Sequence, residues 1–112
     1  MIFWHNPRCS KSRAALTLLQ ERGVEPEIRK YLEDAPSLDE LRAAQAALGL
    51  PAIEMVRRGE PAFRALGLAP DSDDETLLRA MADEPKLIER PLAIVGDRAV
   101  IGRPPERVLE LL

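Results

Sequence analysis

The chain has 112 residues, of which 46% are hydrophobic and 31% charged, a composition typical of a soluble globular protein and not of a disordered tail, a collagen-like fibre or a membrane span. Sixteen Lys and Arg against nineteen Asp and Glu leave a net charge of −3, so bulk charge does not predict nucleic-acid binding. The single cysteine cannot form an internal disulfide, and the apolar start is too short for a signal peptide. We therefore expect one cytoplasmic domain over residues 1–112, with neither nucleic acid nor a membrane as partner.

The first third of the chain predicts a β-α-β unit. Its strand, helix and second strand are expected at residues 1–4, 13–22 and 27–31. Ser10 or Ser12 is expected to cap the helix, and Gly23 to end it in the left-handed conformation. Two strands joined by a helix in this way usually pair in parallel.

The middle of the chain predicts helices. Two capping boxes open the longer ones, Ser37 with Glu40 and Ser72 with Glu75. These helices are expected to end at Leu48-Gly49 and after Met81, with shorter helices between them at Ile53–Arg58 and Pro61–Leu66.

The last quarter predicts a hairpin and a helix. Strands over residues 92–95 and 99–101 flank a tight turn at 96–98, and Pro104-Pro105 opens the final helix. The order βαβ, helices, ββα indicates an α/β fold with a thioredoxin/glutaredoxin-like mixed sheet. The helical insertion lies between the two halves, at about 36–86. One domain fits better than two, because the inserted helices need the sheet to pack on.

Cys9 is the candidate catalytic residue, because it comes directly before the first predicted helix. There it meets unpaired backbone N–H groups and the positive end of the helix dipole. Nearby side chains that favour the thiolate are two cations, one imidazole and two hydroxyls: Lys11, Arg13, His5, Ser10 and Ser12. A lone cysteine is most often a small buried hydrophobe. The polar residues on both sides of Cys9 favour a reactive thiol instead.

Three other kinds of cysteine site are excluded by the residues around Cys9. C-x-x-S from Cys9 to Ser12 is not a dithiol motif, and a phosphatase-type C-x5-R loop would need arginine where the chain has Ala15. One cysteine and one histidine do not make a zinc site, so we expect no bound metal.

Arginines beside a Gly or Pro at the edge of a predicted element are candidate anion ligands: Arg57-Arg58, Arg90 and Arg103. Arg90 precedes Pro91, at the place of the cis-proline beside the redox cysteine in the thioredoxin order, and Arg103 follows the last strand. Both are expected at the same edge as Cys9. Guanidinium groups bind tetrahedral oxyanions in a bidentate manner.

Residues 5–13, His-Asn-Pro-Arg-Cys-Ser-Lys-Ser-Arg, resemble the H-N-P-x-C-x-x-S-R signature of the glutaredoxin-coupled arsenate reductases. The similarity continues at residues 31–33, 66–68, 89–91 and 101–106. It implies a thioredoxin-like fold with a helical insertion. It also implies roles for six residues: Cys9 as nucleophile, His5 and Ser12 as groups that lower the thiol pKa, and Arg57, Arg90 and Arg103 as anion ligands.

The resemblance implies that Cys9 attacks arsenate and forms a covalent arsenic adduct, which glutathione and glutaredoxin then reduce to arsenite. No bound cofactor is expected, since glutathione is a co-substrate. Arsenic-resistance members commonly have Gly-Thr where this chain has Ser10-Lys11, which resembles a sister branch. Two alternatives of the same fold remain: a glutathione-dependent thiol oxidoreductase without arsenate as substrate, and a transcription regulator that binds RNA polymerase, which typically has C-x-x-C.

Overall fold

The computed structural model describes residues 1–112 and contains four strands and four α-helices. In chain order they are β1 (Ile2–Trp4), α1 (Ser10–Glu21), β2 (Glu27–Arg29), α2 (Leu38–Leu48), α3 (Pro61–Ala65), α4 (Asp74–Asp83), β3 (Leu92–Val95) and β4 (Arg98–Ile101). Short 3-10 helices occupy Ala52–Met55, Pro85–Leu87 and Pro105–Leu111. The predicted order, with helices between a βαβ and a ββα half, is confirmed. None of the helices combines the length and apolarity needed to cross a membrane.

The strands form one mixed sheet of order β2-β1-β3-β4, and its pairing decides which loops meet. β1 runs parallel to β2 and antiparallel to β3, so Trp4 lies opposite both Arg29 and Leu92. β4 pairs antiparallel with β3, which places Ile101 opposite Leu92 as well. The ends of β1, β2 and β4 and the start of β3 therefore share one edge of the sheet.

Helix α1 begins three residues earlier than predicted, with Cys9 as its N-cap. The prediction that Ser10 or Ser12 caps the helix is wrong, because both lie inside it. Ser12 is buried, and its hydroxyl oxygen accepts a hydrogen bond from the backbone N–H of Asn6 at 3.1 Å. Gly23 follows the helix with φ of 76°, the left-handed conformation that was predicted.

One of the two predicted capping boxes is confirmed. The Ser37 hydroxyl accepts from the Glu40 amide at 3.1 Å, while the Glu40 carboxylate accepts from the Ser37 amide at 3.0 Å. The second box is wrong, because Asp73 caps α4 in place of Ser72 and accepts from the Thr76 amide at 2.7 Å. A carboxylate at this position also interacts favourably with the helix dipole.

The helix predicted over Ile53–Arg58 is wrong for its second half. Val56 forms an antiparallel bridge with Ile88, and the backbone N–H of Arg57 donates to the Leu87 carbonyl at 2.7 Å. These bonds hold the backbone of Arg57 against the segment that leads into β3. Arg57 therefore lies at the same edge of the sheet as the start of β3, where Arg90 is found.

Both faces of the sheet are covered by apolar clusters. Alternation along β1 sends Phe3 to one face and Trp4 to the other. The smaller cluster packs α1 and the C-terminal 3-10 helix against the sheet through Phe3, Ala15, Leu19, Ala93, Val100, Val108 and Leu111. The larger cluster packs α2 and α4 on the opposite face. Each fully buried Leu or Phe side chain in these layers stabilises the fold by about 1.5–3 kcal/mol.

Candidate active site

Cys9 lies at the exposed end of the loop between β1 and α1, where its backbone extends into the helix. Its carbonyl accepts the first helical bond, from the Arg13 amide at 3.0 Å, and its own N–H donates to the Asn6 carbonyl at 3.0 Å. The side chain is only partly buried. The thiol therefore sits at the positive end of α1 and remains accessible to a small reactant.

Opposing effects act on the pKa of the Cys9 thiol. Partial burial is the largest of them and raises the pKa. The backbone N–H groups of Ser12 and Lys11 interact with the sulfur and lower the pKa, and the guanidinium of Arg90 lowers it further. The net pKa lies below the usual thiol value, so the thiolate is favoured.

His5 and Ser12 bind each other deep in the loop. The His5 Nδ1 atom lies 2.7 Å from the Ser12 hydroxyl oxygen, and both side chains are buried. Burial lowers the pKa of His5, and the charges of Lys30 and Arg13 lower it further, so the imidazole is neutral at pH 7. The imidazole contacts the Ser12 hydroxyl, whereas the sequence led us to expect that it would face the sulfur of Cys9.

Arg90 lies at the start of β3, next to the thiol. The peptide bond from Arg90 to Pro91 is cis, as the thioredoxin order predicts. The Arg90 Nη1 atom lies 3.1 Å from a carboxylate oxygen of Glu89, while its Nε atom is buried without a hydrogen-bond partner. The positive charge of this guanidinium is one of the effects that lower the pKa of the Cys9 thiol.

Arg103 contacts Arg90 directly, and Arg57 is bonded to the segment that precedes Arg90. The Arg103 Nη1 atom donates to the Arg90 carbonyl at 3.2 Å, and its Nε atom lies 3.8 Å from the Glu89 carboxylate. The Arg57 guanidinium donates to the Lys86 carbonyl at 3.3 Å. All three arginine side chains keep between 16% and 29% of their surface exposed, so each retains access to solvent.

The pKa of Tyr31 responds to the thiol and to two of the arginines. Burial is the main effect that raises the pKa of Tyr31, whereas the charges of Arg90 and Arg57 lower it and Cys9 raises it. The phenol is 1% exposed, and although Asn6 lies nearby, no group reaches its hydroxyl with hydrogen-bond geometry.

The sequence analysis missed Tyr31 and Glu89 as residues of the site. Glu89 contacts both Arg90 and Arg103 through its carboxylate. The signal was present in the sequence, since both residues fall in segments quoted for the family resemblance, 31–33 and 89–91. Nowhere do three His, Cys, Asp or Glu side chains cluster as metal ligands would.

Gly102 brings the strand that leads to Arg103 close to the cis-proline. A Cβ atom at this position would lie 2.8 Å from the Cγ of Pro91 and 3.0 Å from a methyl group of Val108. The Gly102 amide donates to the Pro91 carbonyl at 2.9 Å. Only glycine therefore permits this approach, which holds Arg90 and Arg103 side by side.

The sheet order, the thiol at the start of α1 and the cis-proline before β3 together define a thioredoxin-like fold. The family model of the ArsC family matches residues 4–111, and the chain belongs to this family.

The similarity to its relatives extends over nearly the whole chain. It is 49% identical to the Escherichia coli K12 protein named "Uncharacterized protein YfgD" and 47% identical to a Neisseria meningitidis serogroup A protein named "Arsenate reductase". Each match covers 97% of this chain, and 93% and 95% of the respective relative. The solved structure titled "Arsenate reductase from Vibrio cholerae." is similar with a TM-score of 0.94 and 45% identity, over 99% of this chain and 96% of that one.

Proposed function

We propose that the protein is an arsenate reductase that uses Cys9 as its nucleophile and glutathione with glutaredoxin as its source of electrons. The observation that carries the proposal is the position of Arg90 at the start of β3, opposite the end of β1 that leads to Cys9, from where its charge helps to lower the pKa of the thiol. The relatives named arsenate reductase in Neisseria meningitidis and Vibrio cholerae support the choice of substrate.

The arginines provide the means to bind a tetrahedral oxyanion. Arg57, Arg90 and Arg103 offer guanidinium donors at the edge where Cys9 emerges, and the Nε atom of Arg90 has no partner within the protein. Glu89 orients two of them by pairing with their guanidinium groups. We propose that the three arginines hold arsenate through charge-assisted hydrogen bonds, with arsenic facing the sulfur.

The first step is substitution at arsenic without any change of oxidation state. The Cys9 thiolate attacks arsenic(V), a sulfur–arsenic bond forms, and an arsenic–oxygen bond breaks as the oxygen leaves as hydroxide or, after gaining a proton, as water. The lowered thiol pKa raises the fraction of thiolate available for attack, and the arginines neutralise the charge on the remaining oxygens. We assign His5 and Ser12 to shaping the loop that presents the sulfur.

Reduction requires thiols from outside, because Cys9 is the only cysteine in the chain. Glutathione displaces a second oxygen from arsenic, and a glutaredoxin thiolate then attacks the glutathione sulfur. The sulfur–arsenic bond breaks with its electron pair left on arsenic, so arsenic(V) becomes arsenic(III) while the two thiols become a mixed disulfide. Hydrolysis of the remaining Cys9–arsenic bond releases arsenite. The reaction belongs in a reducing compartment such as the cytoplasm.

The test is arsenate-dependent oxidation of NADPH in the presence of glutathione, glutaredoxin and glutathione reductase. We expect turnover by the wild-type protein, none by Cys9→Ser, and a loss of about 100-fold in kcat/KM for Arg90→Ala. Arg22→Ala is the matched control, because Arg22 is exposed at the end of α1 and its side chain bonds to nothing. A folded wild-type protein with no more turnover than Cys9→Ser would rule out arsenate as the substrate.

Two variants also distinguish arsenate reduction from the alternative function. A glutathione-dependent oxidoreductase without an oxyanion substrate would require Cys9 but not Arg57 or Arg103, neither of which acts on the pKa of the thiol. Reduction of a glutathione mixed disulfide that is lost in Cys9→Ser and unchanged in Arg103→Ala, without arsenate turnover, would identify that activity.

A further inference from the structure

A cavity of about 390 Å³ lies beside the loop that presents Cys9. Residues 5–8 form one wall, and Lys30, Leu32 and Glu33 form the other. Its volume is within the range of about 300–1,000 Å³ found for small-molecule sites. Asn6 lines the cavity, and its carbonyl accepts a hydrogen bond from the Cys9 amide at 3.0 Å, so a molecule in the cavity would lie against the loop that presents the reactive sulfur.

The cavity carries unpaired charges of both signs. Arg8 and Lys30 are exposed, and neither side chain forms an ion pair or donates a hydrogen bond within the protein. The carboxylate of Glu33 is likewise free. Two cations and one anion are thus available to a ligand that carries the opposite charges.

The charged wall is separate from the arginines assigned to the oxyanion. Arg8 occupies the variable position of the H-N-P-x-C signature, and Lys30 precedes the segment 31–33. The exposed side chain of Leu32 adds an apolar surface between the charges. The ligand expected here is a small peptide with two carboxylates, one ammonium and a short uncharged middle.

We propose that this cavity binds glutathione, with Arg8 and Lys30 taking its two carboxylates and Glu33 its ammonium. The proposal rests on the proposed function in one respect only, namely that glutathione is the outside thiol which meets Cys9. Two ion pairs at the carboxylates and one at the ammonium orient the tripeptide, and its sulfur then reaches toward the neighbouring residue, Cys9.

The test omits arsenate and follows thiol–disulfide exchange at Cys9. The Cys9 thiolate attacks one sulfur of oxidised glutathione, a new disulfide forms, the old one breaks, and one glutathione thiolate leaves. Hydroxyethyl disulfide, which is uncharged, and dithiodipropionate, which carries two carboxylates but no ammonium, undergo the same reaction. Second-order rates are measured by mass spectrometry of the modified chain.

We expect Arg8→Ala combined with Lys30→Ala to slow the reaction of Cys9 with oxidised glutathione about tenfold, the size expected from losing two exposed ion pairs. The reaction of Cys9 with hydroxyethyl disulfide should keep its rate. Glu33→Gln should slow the reaction of Cys9 with oxidised glutathione but not that with dithiodipropionate, since only oxidised glutathione has an ammonium group. Arg22→Ala is again the control for general loss of positive charge.

Three results would overturn the proposal. The first two are equal slowing of all three disulfides, which indicates a change in the sulfur itself, and no slowing of oxidised glutathione. Equal slowing of both anionic disulfides by Arg8→Ala with Lys30→Ala, together with no effect of Glu33→Gln, would reduce the cavity to a nonspecific anion site and also overturn it. Loss of arsenate turnover with the glutathione preference intact would contradict the proposed function alone.

Discussion

The hydroxyl of Ser12 holds the loop that presents Cys9, and Ser12→Ala tests this directly. The oxygen is buried, lies 2.7 Å from His5 Nδ1 and accepts from the Asn6 amide at 3.1 Å. The substitution leaves the His5 imidazole nitrogen and the Asn6 amide without a partner, each at a cost of about 1–3 kcal/mol. The cost at Asn6 lies toward the low end, because Asn6 is only half-buried. We expect the free energy of unfolding to fall by about 3 kcal/mol.

The loss is measured by urea unfolding under reducing conditions and by the thermal midpoint. With an unfolding entropy of about 2.1 cal/mol/K per residue, a 112-residue chain should lose roughly 13 °C in Tm. Ser10→Ala is the matched control, because Ser10 is exposed in the same turn and its hydroxyl bonds to nothing. A Ser12→Ala protein within about 0.5 kcal/mol of Ser10→Ala would refute the reasoning.

Three further predictions concern the thiol, the imidazole and the strand contact. Arg90→Ala should raise the pKa of Cys9, seen as a shift to higher pH in the rate of alkylation by iodoacetamide; an unchanged profile would contradict the assignment. Because the pKa of His5 is lowered in the fold, the unfolded state binds its proton first, so stability should fall as pH drops below about 6.5, by at most about 1.4 kcal/mol per pH unit. His5→Asn should lack this fall. If the urea midpoints of the wild-type protein and of His5→Asn changed identically with pH, the assignment of the fall to His5 would be wrong. Gly102→Ala would place a Cβ 2.8 Å from the cis-proline ring and should cost about 2 kcal/mol, whereas Gly59→Ala, with nothing within 4 Å, should be nearly neutral in the same urea assay.

The fold was predictable where the signals are local. Gly23 and the Ser37–Glu40 box act within one helical turn, so sequence spacing determines them. The cap of α4 was wrong because Ser72 and Asp73 are adjacent cap residues, and the path of the preceding loop selects between them. The Ser72 hydroxyl is instead used by the Ala69 amide at 2.9 Å.

The site was predictable to the extent that strand ends determine it. Arg90 and Cys9 meet because β1 and β3 are antiparallel neighbours, which follows from the predicted order of elements. The contact between His5 and Ser12 was not predictable, since α1 had to begin at Ser10 for that hydroxyl to turn inward. Glu89 could not be distinguished by local pattern from the other acidic residues, because its second partner, Arg103, follows β4 and is brought to it only by the pairing of β3 with β4.

The sheet topology also explains how a chain of net charge −3 presents a cationic site. Four segments meet at one edge, and the arginines they carry would repel one another if unpaired. Glu89 offsets this repulsion between Arg90 and Arg103, and Glu60, 3.5 Å from Arg57, does so at the third position. The carboxylates hold the guanidinium groups in place but occupy only part of their donors. Under the proposed function, an oxyanion would meet preoriented donors without an excess of free charge, and we expect selectivity to depend on geometry more than on net attraction.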